Sequence, residues 1–186
     1  MGRLISILIL RLYGWKYDVG VPVDKKFIAI SAPHTSGWDF TWGKLYFASK
    51  RIQPIFFIKR EAFYFPMGFI LRYFGARPID RGKFAKGMVE QVIQYFDDNE
   101  TFAVAITPEG TREKTTKWKR GFYLIAQKAN VPIYLGYLDY GNKKMSHGER
   151  FVPTGDIEKD MLYIKEYYKK INPISKYPEK FSFDFS

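Results

Sequence analysis

Short apolar runs alternate with longer segments of helical length along most of this chain, and this alternation limits the folds that it can adopt. Residues 27–32 and 54–58 have the length and composition of buried strands, and residues 36–50 between them have helical length. The further predicted strands are 77–80, 101–106, 131–138 and 151–153, and the further predicted helical segments are 61–74, 84–96, 118–129 and 156–170. This order predicts a single α/β domain with a largely parallel central sheet flanked by helices.

The predicted domain spans residues 21–171 and is flanked by two shorter segments. Within it, residues 141–148 are polar and predict a loop. Residues 172–186 contain Pro173 and Pro178 and predict a loose C-terminal tail.

Residues 1–20 begin with an apolar run from Leu4 to Leu10 that lies between Arg3 and Arg11. The run is too short to span a bilayer, which takes about 20 residues. It predicts a short amphipathic or apolar helix with two open interpretations: a segment that lies in the membrane interface, or an ordinary buried terminal helix.

One of the two histidines lies directly after the predicted strand 27–32. His34 is followed five positions later by Asp39. Positions five apart on one helix lie roughly 140° around its axis, so two helical side chains at this spacing would not meet. His34 must therefore precede the helix, with Ser36 as N-cap and Asp39 in the first turn, where its carboxylate reaches back to the imidazole. This arrangement presents a general base that is oriented by a carboxylate.

The same residues have a purely structural interpretation. Ser36-x-x-Asp39 is a capping-box pattern, in which the carboxylate binds backbone N–H groups at the start of a helix. His34 can equally be a hydrogen-bonded residue at the end of a strand. This stretch by itself leaves both interpretations open.

The charge of the chain predicts an acidic partner. Its formal net charge is +11, which favours binding to nucleic acid, to an anionic membrane surface or to a phosphorylated substrate. The chain has no cysteine, which excludes a disulfide and a thiol nucleophile. A Walker A loop and the G-x-G-x-x-G, H-E-x-x-H and G-x-S-x-G patterns do not occur, so nucleotide-driven, zinc-protease and serine-hydrolase chemistry have no motif here.

Two further stretches lie at the ends of predicted strands. Residues 107–112 directly follow a strand, at the place where open α/β sheets bind ligands. Gly110 allows a tight turn there, and Arg112 offers a fork-shaped donor for phosphate. Residues 75–81 form a short predicted strand that ends at Arg81. Each stretch taken singly is also an ordinary turn or a solvated arginine.

Taken together, four motifs resemble the glycerolipid acyltransferase family, whose best-known members are the 1-acylglycerol-3-phosphate acyltransferases. The motifs are H-x4-D at 34–39, G-x-x-x-I-D-R at 75–81, P-E-G-T-R at 108–112 and V-P-I at 131–133. Each motif is weak alone, but the order of all four is specific. The W-K-R-G segment at 118–121 is also similar to the F-K-x-G stretch after the family's third motif.

The resemblance implies transfer of a fatty acyl group from an acyl thioester, either acyl-CoA or acyl-carrier protein, to the hydroxyl of a lysophospholipid such as lysophosphatidic acid. The motif histidine, here His34, is the general base on that hydroxyl, and Asp39 orients it. Transfer from a thioester to an alcohol is downhill, so no ATP, metal or other cofactor is expected. Histidine is suited to proton transfer near neutral pH.

The resemblance also implies a substrate-binding set. Arg81 and Arg112 are assigned to the acceptor's phosphate, and Lys119 matches a basic position near that phosphate. The glutamate of the third motif, here Glu109, is implicated in holding the acceptor. The expected substrate-binding residues are Arg81, Glu109, Gly110, Thr111, Arg112 and Lys119.

Three positions depart from the family pattern and bear on the acceptor. Pro33 replaces the usual asparagine, Thr107 the usual phenylalanine, and Leu135 the second proline of the fourth motif. An alternative within the family is therefore an O-acyltransferase that acts on a lyso-amino-acid lipid. The two arginines would then hold a carboxylate, which suits the arginine fork as well as phosphate does.

An alternative of another class is a non-enzymatic protein that binds anionic lipid or nucleic acid. Basic residues interleaved with Trp118 and Tyr123 permit stacking on single-stranded bases. That interpretation leaves the order of the four motifs unexplained, so nucleic acid is not an expected partner. We expect peripheral attachment to an anionic membrane surface, at its cytoplasmic face, because the chain lacks the longer hydrophobic anchor that many family members carry.

Overall fold

The computed structural model describes residues 2–79 and 85–182 of the protein. The strands are β1 (Lys16–Tyr17), β2 (Lys26–Ser31), β3 (Ile55–Lys59), β4 (Ala76–Ile79), β5 (Phe102–Ile106), β6 (Ile133–Asp139) and β7 (Lys144–Phe151). The helices are α1 (Arg3–Leu12), α2 (Gly37–Ser49), α3 (Met67–Tyr73), α4 (Ala85–Asp98), α5 (Gly121–Ala129) and α6 (Ile157–Ile171), and short 3₁₀ turns lie at Arg60–Ala62 and Pro178–Lys180.

The strands form one sheet in the order β1-β7-β6-β2-β5-β3-β4. The five neighbouring strands from β6 to β4 are parallel, and β7 pairs with β6 in the antiparallel direction. The predicted single α/β domain with a largely parallel sheet is therefore confirmed. The central strands are buried on both faces, which is why their sequences are almost continuously apolar.

Alternate residues of β2 enter two separate cores. Ile28 and Ile30 pack with side chains of α4, α5 and α6 on one face of the sheet. Phe27 and Ala29 pack on the other face with side chains of α1 and α2, such as Leu45. A strand has a period of two residues, so each face receives every second side chain and needs its own covering helices.

The predicted loop at residues 141–148 is wrong, because most of it belongs to β7. Of the eight residues in this strand, only Met145 and Phe151 are buried, so its sequence lacks a clear apolar pattern. Gly148 has a φ of +74°, and a Cβ atom on it would lie 1.8 Å from the carbonyl oxygen of Leu135 on β6. The backbone pairing therefore requires glycine at this position.

The N-terminal segment forms the predicted amphipathic helix, α1, which packs against α2. Leu10 is fully buried in the core below it. A second set of apolar side chains on α1 remains exposed to solvent: Leu4, Ile5, Leu8 and Leu12. The helix thus has one buried face and one exposed apolar face. Among the described residues, no helix has the length and apolar character needed to cross a membrane.

The expected loose tail at residues 172–186 is not what its described part, up to residue 182, shows. Ser175 is buried. The backbone N–H of Tyr140 donates to the carbonyl of Ile174 at 2.7 Å, and the backbone N–H of Tyr177 donates to Oγ1 of Thr35 at 3.2 Å. Its prolines prevent a continued helix, but irregular backbone can still be held by hydrogen bonds.

Candidate active site

Three chain segments meet where the neighbouring strands β5, β2 and β6 end. Glu109 follows β5, His34 follows β2 and Tyr140 follows β6. The carboxyl ends of parallel strands lie at the same edge of a sheet, so residues far apart in sequence come together there. This edge holds the groups that the sequence indicated, together with one that it did not indicate.

His34 and Asp39 are paired as their spacing predicts. Nδ1 of His34 lies 3.0 Å from Oδ2 of Asp39, and the side chains are 20% and 6% exposed. The carboxylate has no proton to donate, so Nδ1 of the neutral imidazole donates to it and Nε2 keeps a free lone pair. The geometry therefore leaves Nε2 able to accept a proton.

Asp39 also performs the structural role that the capping-box pattern indicated. Ser36 is the N-cap of α2, and a capping box joins Ser36 to Asp39. Oδ2 of Asp39 accepts the backbone N–H groups of Thr35 and Ser36 at 2.9 Å each. One oxygen thus ties the loop to the helix start and also bonds the imidazole, so the two interpretations of this stretch describe the same contacts.

Tyr140 binds the other oxygen of the same carboxylate. Its hydroxyl donates to Oδ1 of Asp39 at 2.6 Å. Burial and this hydrogen bond raise the pKa of Tyr140 well above its ordinary value, so the hydroxyl remains a donor at neutral pH. The sequence analysis missed this residue. Its signal was its position directly after a buried strand, but nothing in the sequence pairs residue 140 with residue 39.

Glu109 binds the backbone of His34. Its Oε1 accepts the backbone N–H of His34 at 3.1 Å, and the residue is 3% exposed. Oε2 is buried and has no hydrogen-bond partner among the described residues. Burial and, to a smaller extent, the nearby Asp39 charge raise the pKa of Glu109 to about 8, against the lowering effect of the backbone hydrogen bonds. Glu109 is therefore mainly protonated at neutral pH.

The Glu109→Gln variant is expected to change how stability depends on pH. The unfolded carboxyl loses its proton near its ordinary pKa of 4.5, whereas the folded carboxyl keeps it until about 8. Between these values the folded state binds more protons, so the unfolding free energy of the wild type falls as pH rises, by at most about 1.4 kcal/mol per pH unit. Glutamine is neutral throughout and removes this contribution. Urea denaturation from pH 5 to pH 8 checks the expectation, and equal slopes for the two proteins would refute it.

A cavity of about 590 Å³ lies beside the start of α2. Its lining combines the segment after His34, the loop after β5 and the C-terminal segment: Thr35, Ser36, Gly37, Trp38, Thr41, Arg112, Glu113, Tyr177 and Lys180. The Arg112 guanidinium lies close to the backbone of Gly37, where a Cβ atom would be 3.4 Å from one of its nitrogens. A cation and the positive end of a helix therefore face the same space.

The other predicted binding residues occupy different places. Gly110 has a φ of +65° and forms the turn after β5, with the side chain of Lys119 packed against it. Thr111 accepts the backbone N–H of Glu113 at 3.2 Å, so its hydroxyl closes a local turn. Neither Thr111 nor Lys119 lines the cavity. Arg81 lies outside the described residues.

The second histidine belongs to a separate cluster. Nδ1 of His147 lies 2.9 Å from the Asp18 carboxylate and 2.9 Å from the Tyr46 hydroxyl, and Ser146 also donates to Asp18. Burial acts to raise the pKa of Asp18, but its hydrogen bonds with His147, Ser146 and Tyr46 outweigh this effect and lower the pKa below its ordinary value. In the part of the chain that the structure describes, no three histidine, cysteine, aspartate or glutamate side chains form a group that could hold a metal ion.

Comparison with known proteins gives one family and one fold. A family model described as Acyltransferase matches residues 20–135, which include all four motifs of the sequence analysis. None of the curated proteins compared with the chain matches it. The chain is similar to the crystal structure of the 1-acyl-sn-glycerophosphate (LPA) acyltransferase PlsC from Thermotoga maritima, with a TM-score of 0.62 and 17% identity, covering 91% of this chain and 76% of that chain. At this identity the likeness shows a common fold.

Proposed function

Because the chain belongs to the acyltransferase family, we propose that it transfers a fatty acyl group from an acyl thioester to the hydroxyl of a lysophospholipid such as lysophosphatidic acid. The observation that carries this proposal is the pairing of His34 with Asp39 at 3.0 Å, which leaves Nε2 available as a general base. The structurally similar PlsC is a 1-acyl-sn-glycerophosphate acyltransferase, which supports a lysophospholipid acceptor.

The proposed reaction needs one proton relay and no covalent enzyme intermediate. Nε2 of His34 takes the proton of the acceptor hydroxyl while its oxygen attacks the thioester carbonyl, and the imidazolium that forms is stabilised by Asp39. The tetrahedral intermediate then expels the donor's thiolate, which takes this proton from His34 and leaves as the free thiol. One carbon–oxygen bond forms and one carbon–sulfur bond breaks, so the step requires no cofactor.

The proposed acceptor site is the cavity beside α2. Arg112 lines it and offers a guanidinium to an anionic headgroup. A phosphate fits this fork, and so does the carboxylate of a lyso-amino-acid lipid, which is the second candidate acceptor. Acyl-CoA and acyl-carrier protein are both acidic, so a chain with a net charge of +11 attracts either donor.

The proposed location is the cytoplasmic face of a membrane, bound peripherally. The support comes from α1, whose exposed side chains include Leu4 at 78% and Leu12 at 73%. Arg3 and Arg11 lie next to these apolar residues in the chain, and this combination is typical of helices that lie in an anionic membrane interface.

Thiol release from the donor tests the proposed activity. The protein has no cysteine, so a thiol reagent reports only thiol that is freed from the donor. Acyl-CoA and acyl-carrier protein are each supplied with lysophosphatidic acid, with a lyso-amino-acid lipid or with no acceptor, on anionic and on neutral vesicles. Acceptor-dependent release supports the proposal and identifies the acceptor class. If no combination of donor and acceptor releases thiol, the proposal is wrong.

Tyr140→Phe tests whether the tyrosine positions the catalytic pair. Losing the hydrogen bond to Oδ1 of Asp39 is expected to lower kcat about two- to tenfold and leave KM unchanged, because the net contribution of a hydrogen bond that acts only through positioning is about 0.5 to 1.5 kcal/mol. Tyr163→Phe is the matched control, since Tyr163 donates to the exposed Glu149 carboxylate away from the site. Equal kcat values for the two variants would contradict the positioning role.

A further inference from the structure

The C-terminal segment forms one wall of the proposed acceptor cavity. Tyr177 and Lys180 line the cavity together with Arg112 and Glu113 of the loop after β5. None of the four family motifs includes these two residues, which lie well beyond residue 135, where the family match ends. This wall is therefore a feature that the family assignment leaves without a role.

The segment is held beside His34 by specific contacts. The Tyr177 backbone N–H donates to Thr35, the residue that follows His34, at 3.2 Å. Asn172 ends α6 in a left-handed conformation, and the segment that reaches the cavity begins there. The Lys176 ammonium lies 4.9 Å from the centre of the Trp38 ring. The wall is thus a part of the folded domain and has a defined position relative to the histidine loop.

The charges in the cavity suit an anion with two negative charges. Nζ of Lys180 donates to the Glu113 carboxylate at 2.9 Å, and the two side chains are 37% and 73% exposed. Among the described residues, the lining therefore holds two cations, Lys180 and Arg112, and one carboxylate. An exposed ion pair is weak, so a ligand can displace Glu113 from Lys180 at little cost. Without Glu113, the two cations match a phosphate monoester, whereas a single carboxylate needs only one of them.

We propose that Lys180 binds the acceptor headgroup together with Arg112, and that this second cation makes the site selective for a phosphate monoester. The inference rests on the proposed function and specifies its acceptor. Glu113 pairs with Lys180 and competes with the headgroup for it. Tyr177 sets the position of Lys180 through its bond to Thr35.

The test compares the KM values of two variants, one that removes a positive charge from the cavity and one that removes a negative charge. Lys180→Gln is expected to raise KM for lysophosphatidic acid about five- to tenfold with little change in kcat, since a charge-assisted hydrogen bond is lost from a partly exposed site. The KM of this variant for the lyso-amino-acid lipid should change less than twofold, because a single carboxylate needs only Arg112 and an exposed ionic contact contributes little. Glu113→Gln is expected to lower KM for lysophosphatidic acid about two- to threefold, because it removes the competing carboxylate.

Lys128→Gln is the matched control. Lys128 is exposed in the last turn of α5, which leads into the amino end of β6, away from the edge that holds the site. Lys180→Arg retains the positive charge and should keep the KM of the wild type. An increase in KM that is confined to Lys180→Gln then results from the lost charge. Calorimetric titration with monomeric lysophosphatidic acid measures the affinity of each variant for this acceptor without turnover.

Kinetics and calorimetry together separate a failure of this inference from a failure of the proposed function. Weaker binding of lysophosphatidic acid by Lys180→Gln, together with normal binding by Lys128→Gln, supports the inference even if no donor is turned over. An active wild type whose Lys180→Gln variant keeps the same KM and the same affinity overturns the inference and leaves the proposed function intact. A loss that is equal for both acceptors overturns the proposed selectivity.

Discussion

The His34→Ala variant is expected to lose acceptor-dependent thiol release, with kcat falling about 10²- to 10⁴-fold, the range that general-base catalysis contributes. The acceptor hydroxyl is a poor nucleophile while it keeps its proton, and Nε2 of His34 is the base that we propose removes it. The backbone N–H of His34 binds Glu109 and persists in alanine, so the loop keeps its anchor. Affinity for lysophosphatidic acid is therefore expected to change little.

His147→Ala is the matched control for this prediction. His147 also contacts an aspartate and a tyrosine, but it belongs to the separate cluster with Asp18 and Tyr46. Its loss is expected to lower the melting temperature and leave kcat at the temperature of the assay largely unchanged. If His34→Ala keeps a kcat close to that of the wild type, His34 is not the general base and its pairing with Asp39 is structural.

Asp39→Asn is expected to lower kcat by at least about 10²-fold while the protein remains folded, because the imidazolium formed during the reaction loses its counter-charge. An asparagine oxygen at the place of Oδ2 can still accept the N–H groups of Thr35 and Ser36, which preserves the helix cap. The amide nitrogen then faces the Tyr140 hydroxyl, which can accept from it. The substitution therefore separates the charge of Asp39 from its role as a cap.

Urea denaturation and kinetics together distinguish the two roles. A carboxylate in the first turn of a helix contributes about 0.3 to 1 kcal/mol through the helix dipole, so the unfolding free energy should fall by about that amount. If Asp39 were only a cap, the variant would show this small loss and a normal kcat. In the double variant with His34→Ala, the loss of Asp39 should have almost no further effect on kcat, because the two residues act as one unit.

Several features of this protein could be predicted from its sequence because the signals are local. Runs such as 27–32 alternate with helical segments, and this pattern led to a largely parallel α/β sheet, which is confirmed. The order of four short motifs led to the family, and the match of the family model confirms it. The spacing of His34 and Asp39 allowed their contact to be derived, since the loop and the first helical turn leave few geometries open.

Other features failed as predictions because their signals are not local. β7 has only two buried residues, so its sequence resembles a polar loop, and its structure is set by backbone pairing with β6. The C-terminal segment contains two prolines and no periodic pattern, yet hydrogen bonds from Tyr140 and to Thr35 hold it in place. Contacts of this kind depend on where distant segments are brought by the sheet.

The sequence by itself determined the alternation of elements, the family and the residues that can do chemistry, because these depend on composition and on spacings of a few residues. Only the tertiary structure decided which residues share a site. It placed Tyr140 on Asp39, buried Glu109 so that its pKa rises, and brought Lys180 to the cavity of Arg112. The physical reason is that the ends of the parallel strands meet at one edge of the sheet, and the order of the strands there differs from their order in the chain.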